Sequence, residues 1–491
     1  MLNSNKPKLI LIADRGRPDV SARLGFLASK IIKKKKFDSL ILFEHKQKTE
    51  NINIFSLFKI KNSNFIGLRF EEILLLIKTF IITIISIFRI LTFGFDWFVK
   101  NFKIENVKLG DLIYDRYVRK GHEFINPSCF KIKFIDLLFK SIFKFYSVKK
   151  IFEKNDVRYS LIGSMTYISV SSILMRISQA QNVPVIYVSG ESYRIVKKNE
   201  DVGDILSKFV KNTIKSLNQR KLKLESEKYF KKRIKGNLKS KKYDLRKYYQ
   251  HDEQTWITAK NNDKFIKRIE KIKKDYSHII LYAPHNFAES NHRCGDLIFR
   301  DFYQQTEETL QFAKEKNNIL WLFKIHPYSQ KKYKELKIVK NIFYRYRSEN
   351  ILMVPFKSNN EKLFRLVDLV VSSRGTICLE AATFGVRNLI NSDIFYDDGK
   401  VSIRAKSKKK YFNILSNVGS LKKIDKTTII KAKKILYFRK KLQIENPYNL
   451  VTARKLINKK EFFNKLKKSI KEISLVNNKK NKMYVDIVNR I

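Results

Sequence analysis

Cysteine is scarce in this sequence: Cys129, Cys294 and Cys378 are the only three in 491 residues. Their odd number and wide spacing exclude a disulfide framework and give no metal-ligand pattern, which fits a reducing cytoplasm. Acidic residues are also few, with 46 Asp+Glu against 102 Lys+Arg for a net charge of +56. No Gly-x-Gly-x-x-Gly run is present, so Gly16 alone is not a dinucleotide fingerprint. No Asp-x-Asp pair marks a metal site, and no short-period repeat is evident. The excess of cations has three readings. Lys can simply fill solvated faces in a chain biased toward Lys, Ile, Asn and Phe. It can hold the chain on an anionic leaflet. It can neutralise nucleic-acid phosphates, a reading disfavoured because no nucleic-acid-binding motif accompanies the charge.

At 44% hydrophobic, the chain can bury sizeable cores, and its length argues for at least two domains. The N-terminal Leu9–Ala13 run is too short for a signal-peptide core and reads as a first strand. A helix near Val20–Lys35 and a strand at Leu40–Phe43 follow. Farther on come a strand at Tyr159–Ile162, a helix over Ser164–Gln181 and a strand at Val183–Val188. The basic stretch Lys208–Tyr249 reads as a solvated helical insertion. A second α/β pattern starts near Ser277, with strands at His278–Ala283, Leu320–Lys324, Ile351–Val354, Leu369–Val371 and Arg387–Ile390. Helices fit between them at Ile298–Glu315, Asn359–Arg365 and Thr376–Phe384. Such alternation predicts parallel sheets. The expected architecture is α/β, with two Rossmann-like doubly wound domains facing a cleft and extra basic helices. The expected boundaries are 1–270, 271–410 and a basic helical extension over 411–491.

One segment, Ile73–Phe95, is rich in Ile, Leu and Phe and is interrupted by Lys78 and Arg89. It reads first as a buried or docking helix of the first domain. An interfacial helix with snorkelling Lys78 and Arg89 is the second reading, and a spanning helix the third.

Chemistry-bearing residues cluster after the apolar runs of the second half. Lys324-Ile325-His326-Pro327 follows Leu320–Phe323, and Pro327 stops the strand so that His326 is aimed out of the sheet edge. Ser372-Ser373-Arg374-Gly375-Thr376 lies between a strand and the helix carrying Glu380. Its hydroxyls and the amides at the helix start suit a phosphate, and Gly375 permits close backbone approach. Glu380, one turn into that helix, can accept from ribose hydroxyls. His285-Asn286-Phe287-Ala288-Glu289 follows the first strand of the second domain at its cleft end, with His292, Arg293 and Asp296 in the same loop. In the first half, Asp115 can act as a base toward an acceptor hydroxyl or pair with Arg119 one helical turn away. Asp14–Arg17 and Gly190-Glu191-Ser192 also follow strands and suit an acceptor side.

Lys-x-His-Pro, followed by Ser-Ser-x-Gly-Thr-x-x-x-Glu-x-x-x-x-Gly, resembles the donor domain of capsule polysaccharide biosynthesis glycosyltransferases. These include the Kdo transferases of capsule export and are similar to His-Pro/Ser-Ser bacterial sialyltransferases; they adopt the GT-B fold. The resemblance covers about Ile279–Ile390. It implies phosphate contact by His326, Pro327, Ser372, Ser373, Gly375 and Thr376, ribose contact by Glu380, and catalytic roles for His285, Glu289 and Asp115. Glu289 stands where the family leads one to expect Asp. The implied donor is a nucleotide sugar, CMP-linked in many such enzymes, with Kdo or another nonulosonic acid as the sugar. No cofactor or metal is required. The implied acceptor is a glycan or lipid-linked glycan; the positive charge and the Ile73–Phe95 segment together lead one to expect a cytoplasmic protein, peripheral on the inner face of the membrane. Two rival readings are a nucleotide-sugar epimerase of the UDP-N-acetylglucosamine 2-epimerase type and a non-enzymatic basic protein that binds RNA or membrane.

Overall fold

In the computed structural model the chain divides into two units. One comprises Met1–Val118, Asn126–Glu200 and Ile444–Ile491; the other comprises Arg119–Ile125 and Asp201–Gln443. The structure describes residues 6–13, 18–44, 49–68, 72–121, 125–188, 193–197, 200, 202–234, 263–292, 295–327, 329, 333–355, 358–394, 396, 401–439, 459–473, 485, 488 and 489.

The first unit alternates β1 (Lys8–Ala13), α1 (Pro18–Lys35), β2 (Asp38–Phe43), α2 (Thr49–Ser56) and β3 (Ser63–Phe65). Then come α3 (Ile73–Asn101), the hairpin β4 (Lys103–Ile104) and β5 (Val107–Lys108), α4 (Gly110–Gly121) and α5 (Ile132–Lys154). β6 (Asp156–Ile162), α6 (Val170–Ala180), β7 (Val185–Val188) and β8 (Tyr193–Val196) complete the sheet. Its order is β3-β2-β1-β6-β7-β8, parallel except for the β7–β8 pair. The apolar runs of β1 and β2 form strands because helices cover them, and Ile10, Ile12 and Ile41 share a core with Phe26, Leu27 and Ile31 of α1.

The second unit begins with α7 (Val202–Ser216), α8 (Gln219–Ile234) and α9 (Asp263–Ile272). Its sheet runs through β9 (His278–Tyr282), α10 (Phe302–Glu315), β10 (Ile319–Phe323), α11 (Tyr333–Arg345), β11 (Ile351–Met353), α12 (Asn360–Phe364), β12 (Leu369–Val371), α13 (Thr376–Thr383), β13 (Arg387–Ile390) and β14 (Ile403–Arg404). The order is β11-β10-β9-β12-β13-β14, all parallel. In both units the first strand lies beside the fourth, the doubly wound 3-2-1-4-5-6 order. In the second unit the topological switch point therefore lies between β9 and β12. The unit closes with α14 (Lys408–Ser416) and α15 (Lys426–Tyr437).

Several expectations are corrected. The domain boundary falls near residue 200 and not 270. Val210 and Tyr229, in the stretch expected to be a solvated insertion, are buried in the second unit's core with Ile269 and Ile435. Residues 235–249 of that stretch lie outside the described residues. The tail beyond 411 is not a separate extension. Ile424 and Leu436 belong to the second core, whereas Leu466, in α16 (Lys459–Ile473), and Val488 belong to the first. The helix expected from Ser164 starts at Val170, because Ser169 and Ser172 form a reciprocal capping box and Tyr167 sits at φ 60°. Likewise, the helix expected from Ile298 starts at Phe302, capped by Asp301, whose carboxylate accepts the Gln304 amide at 2.7 Å.

Of the two forms expected for Ile73–Phe95, a buried or a docking helix, the structure shows the docking one: α3 packs one face on α5 and is not enclosed. Thr79, Thr83, Ser86 and Ile90 are the buried positions, and the opposite Ile/Leu/Phe face is exposed. The hydroxyls of Thr79, Thr83 and Ser86 each donate to the carbonyl four residues back, at 2.7, 2.8 and 2.6 Å. Their polarity is thus satisfied within the helix, so these small side chains can pack inward beside α5.

Candidate functional site

The carboxyl ends of β9, β10 and β12 carry the site. Continuous apolar strands end there, and the chain turns through short polar segments, which brings His285, His326 and Ser372–Thr376 to one sheet edge.

His285 and His326 stack, with ring centroids 5.3 Å apart and an interplanar angle of 20°. His285 also lies against Phe302, 4.7 Å away between centroids. Its Nδ1 accepts the Asn286 amide at 2.9 Å, which places the ring proton on Nε2. Burial is the largest influence on its titration and lowers its pKa to about 3. Arg374 and His326 push the same way, and Glu289 opposes them. At neutral pH His285 is therefore a neutral Nε2–H donor. Glu289 Oε2 lies 3.4 Å from His285 Nδ1, a contact that becomes an ion pair only if the ring is protonated. His326 is half-buried, not fully turned to solvent as its position after a strand suggests.

Arg374 is buried. Its guanidinium carbon lies 4.9 Å from the Phe302 ring centroid, and one terminal nitrogen donates to the Ser290 carbonyl. Its other terminal nitrogen, Asn286 Nδ2 and Ser358 Oγ are buried without hydrogen-bond partners among the described residues. Orphaned buried donors of this kind mark a place for a ligand or water.

The two serines differ. Ser373 Oγ donates to Gln305 Oε1 of α10, so its one proton is committed inside the unit. Ser372 Oγ lies at the start of α13, and a Cβ built on Gly375 would come within 2.7 Å of it. Gly375 is the N-cap of α13 and offers no side-chain cap to the first amides. Its carbonyl accepts the Tyr396 hydroxyl at 2.7 Å, which fixes the turn. An uncapped helix start beside a small residue is an anion site in its simplest form.

Glu380 is buried in α13 and acts electrostatically on Lys324. Lys324 is buried too, and its Nζ donates to the Ser358 carbonyl at 3.3 Å. Burial lowers its pKa to about 8, and Glu380 limits the drop. Cys378, inside the same helix, is buried and its thiol is pushed far up, so it is no nucleophile.

Supporting residues escaped sequence reasoning. Glu335 Oε1 accepts the Phe287 amide at 2.9 Å and the Ser329 hydroxyl at 2.7 Å, tying the loop after β9 to the loop after β10. It lies in a Lys-rich stretch, within α11, where no helix was expected. Gln305 and Ser358 have no motif around them at all.

In the first unit Asp115 is buried in α4. Its neighbour Asp111, not singled out by the sequence, pairs with Arg176 at 3.0 Å. Asp14–Arg17, Gly190-Glu191-Ser192 and Arg293 lie outside the described residues. Among the described residues no group of three or more His, Cys, Asp or Glu side chains is placed to hold a metal ion.

No family model matches the chain, and no curated protein matches it. Among solved structures it is similar to Thermosulfurimonas dismutans KpsC, a beta Kdo 2,4 transferase, at 11% identity and TM-score 0.31, over 57% of this chain and 79% of that one. It is similar to a glycosyltransferase from Rickettsia africae ESF-5 at 10% identity and TM-score 0.28, over 95% and 99% of the two chains. It is also similar to the UDP-GlcNAc 2-epimerase of Neisseria meningitidis at 12% identity and TM-score 0.26, over 94% and 100%. At scores this low the fold assignment rests on the strand order and register of the chain itself.

Proposed function

We propose that the protein is a glycosyltransferase whose second unit holds a nucleotide-sugar donor. One observation carries the reading: His285, His326, Ser372, Arg374 and the uncapped start of α13 converge at the carboxyl ends of parallel strands beside a topological switch point. Such an edge is where doubly wound folds take phosphorylated ligands, and the donors here are cationic or N–H/O–H groups suited to a leaving phosphate. His285 Nε2–H, Arg374 and the α13 amides hold the phosphate oxygens, and His326 joins them. Lys324 and Glu380 flank the nucleotide. In this reading Glu289, the partly exposed carboxylate next to His285, takes the proton from an acceptor hydroxyl. The finer reading follows from the motif resemblance: a CMP-linked nonulosonic acid such as Kdo is transferred to a surface polysaccharide.

The test is thermal stabilisation by a panel of CMP, UDP, GDP and their sugars, followed by transfer to glycan acceptors. Ligand at about a hundredfold above Kd stabilises by roughly 2.7 kcal/mol, which a melting shift resolves. Interconversion of a nucleotide sugar without any acceptor would replace the transferase reading with the epimerase one. RNA binding with no nucleotide response would remove both.

A further inference from the structure

We infer that α3 is an in-plane membrane anchor, its exposed face inserted into the headgroup region of an anionic bilayer. The inference stands on the first unit and does not depend on the nucleotide-sugar reading. Leu74, Ile77, Ile81, Ile84, Phe88 and Leu91 recur every three or four residues and form one continuous seam. All six are exposed, Leu74 at 85% and Phe88 at 65%, and nothing among the described residues covers them. The seam lacks polar side chains altogether. The helix has instead turned Thr79, Thr83 and Ser86 inward, the reverse of a helix on a water-facing surface.

The helix is long and apolar enough to cross a membrane, but it is docked lengthwise. Lys78 meets Tyr146, and Phe95 meets Phe134, 5.2 Å between centroids, so α5 runs antiparallel along it. A helix held on a domain along its whole inner face can lie in the interface and cannot span it. Gly94, at φ 76°, then ends the seam near Phe93 and Trp97, aromatics suited to the headgroup level. At the same end, α5 opens on exposed Phe130 and Ile132, the latter 83% accessible, with Lys131 and Lys133 beside them.

Charge selects lipid over a protein occupant. Lys78 and Arg89 sit eleven residues apart and thus share one flank of the seam. Lys78 is held toward the domain, 4.1 Å from the Tyr146 centroid and 3.8 Å from Glu105, so the exposed Arg89 carries the charge of this flank. The three-and-four spacing of the seam would also suit a helical partner, so the cations at its edge are what favour lipid. An apolar ridge edged by cations fits anionic lipid.

Flotation of the full-length protein tests this, with vesicles of phosphatidylcholine alone or with about one-third phosphatidylglycerol, at low and high salt. The wild type is expected to bind the anionic vesicles at low salt and to keep a salt-resistant fraction. The Ile77→Ser/Ile81→Ser/Phe88→Ser variant should keep its Tm and elution volume, lose the salt-resistant fraction and bind about tenfold more weakly. Arg89→Glu/Lys131→Glu/Lys133→Glu should lose the salt-sensitive fraction. A wild type that ignores anionic vesicles at low salt overturns the inference. So does a triple-serine variant that binds vesicles like the wild type while its Tm falls or its oligomeric state changes, because the seam would then be a protein-covered face.

Discussion

Lys324 couples the site to pH most directly. Its folded pKa of about 8 lies below the ordinary 10.5, because burial disfavours the ammonium. Below about pH 8 the charged form is carried in both folded and unfolded chains, and its burial destabilises the fold by on the order of 3 kcal/mol. As pH rises from about 8 toward 10.5, the folded protein releases the proton first and that cost is relieved. An anionic ligand has the opposite dependence, since it needs the ammonium. Nucleotide affinity should therefore fall between about pH 7 and pH 9, and Lys324→Met should bind more weakly with a flatter profile; calorimetry at the two pH values checks both. His326→Ala should cost nucleotide affinity tenfold to a hundredfold, the worth of a charge-assisted hydrogen bond of roughly 1.5–3 kcal/mol. Its ring is half-buried on His285, so a small loss of Tm should accompany the change. Unchanged affinity in the folded variant would remove His326 from the phosphate contacts. Gly375→Ala places a methyl against Ser372 Oγ, at 2.7 Å before any relaxation, and should weaken nucleotide binding more than it lowers Tm.

At the scale of elements, helix starts were the least readable from sequence. Apolar spacing runs on through Ser164–Tyr167, but the reciprocal bonds of Ser169 and Ser172 fix the first turn farther along. Ser169→Ala should cost about 1 kcal/mol of stability, measured by denaturant titration, with no effect on nucleotide binding. The buried strands were easier, because runs such as Ile319–Phe323 are apolar at every position and have a single reading. α3 shows why composition alone misleads. Its Ile and Phe content suggests core, yet its inward face is the one bearing Thr and Ser, and which face docks depends on α5. Periodicity locates an apolar seam but does not say what solvent it meets.

For the whole molecule, alternation of strands and helices predicts two doubly wound domains, and the strand orders of the two sheets agree. The boundary near residue 200 was not readable, because α7 and α8 are Lys-rich on their outer faces while a few residues such as Val210 and Tyr229 enter the second core. The candidate site was readable where residues directly follow a buried strand, as His285, His326 and Ser372 do. It was not readable where a distant residue supplies support. Glu335, Gln305 and Ser358 are brought in by packing, with no spacing to announce them. The account's central claim is that this strand edge holds a nucleotide phosphate, and the most direct measurement is nucleotide binding by calorimetry to the wild type and to Arg374→Met. Arg374 offers a buried terminal nitrogen without a partner among the described residues, beside the His285 ring and the α13 start. The account predicts saturable binding of at least one nucleoside phosphate by the wild type and a loss of tenfold or more in a folded variant, about 1.5–3 kcal/mol for a hydrogen bond to a charged group. Equal affinity in the two proteins, or no nucleotide binding by the wild type, would contradict it.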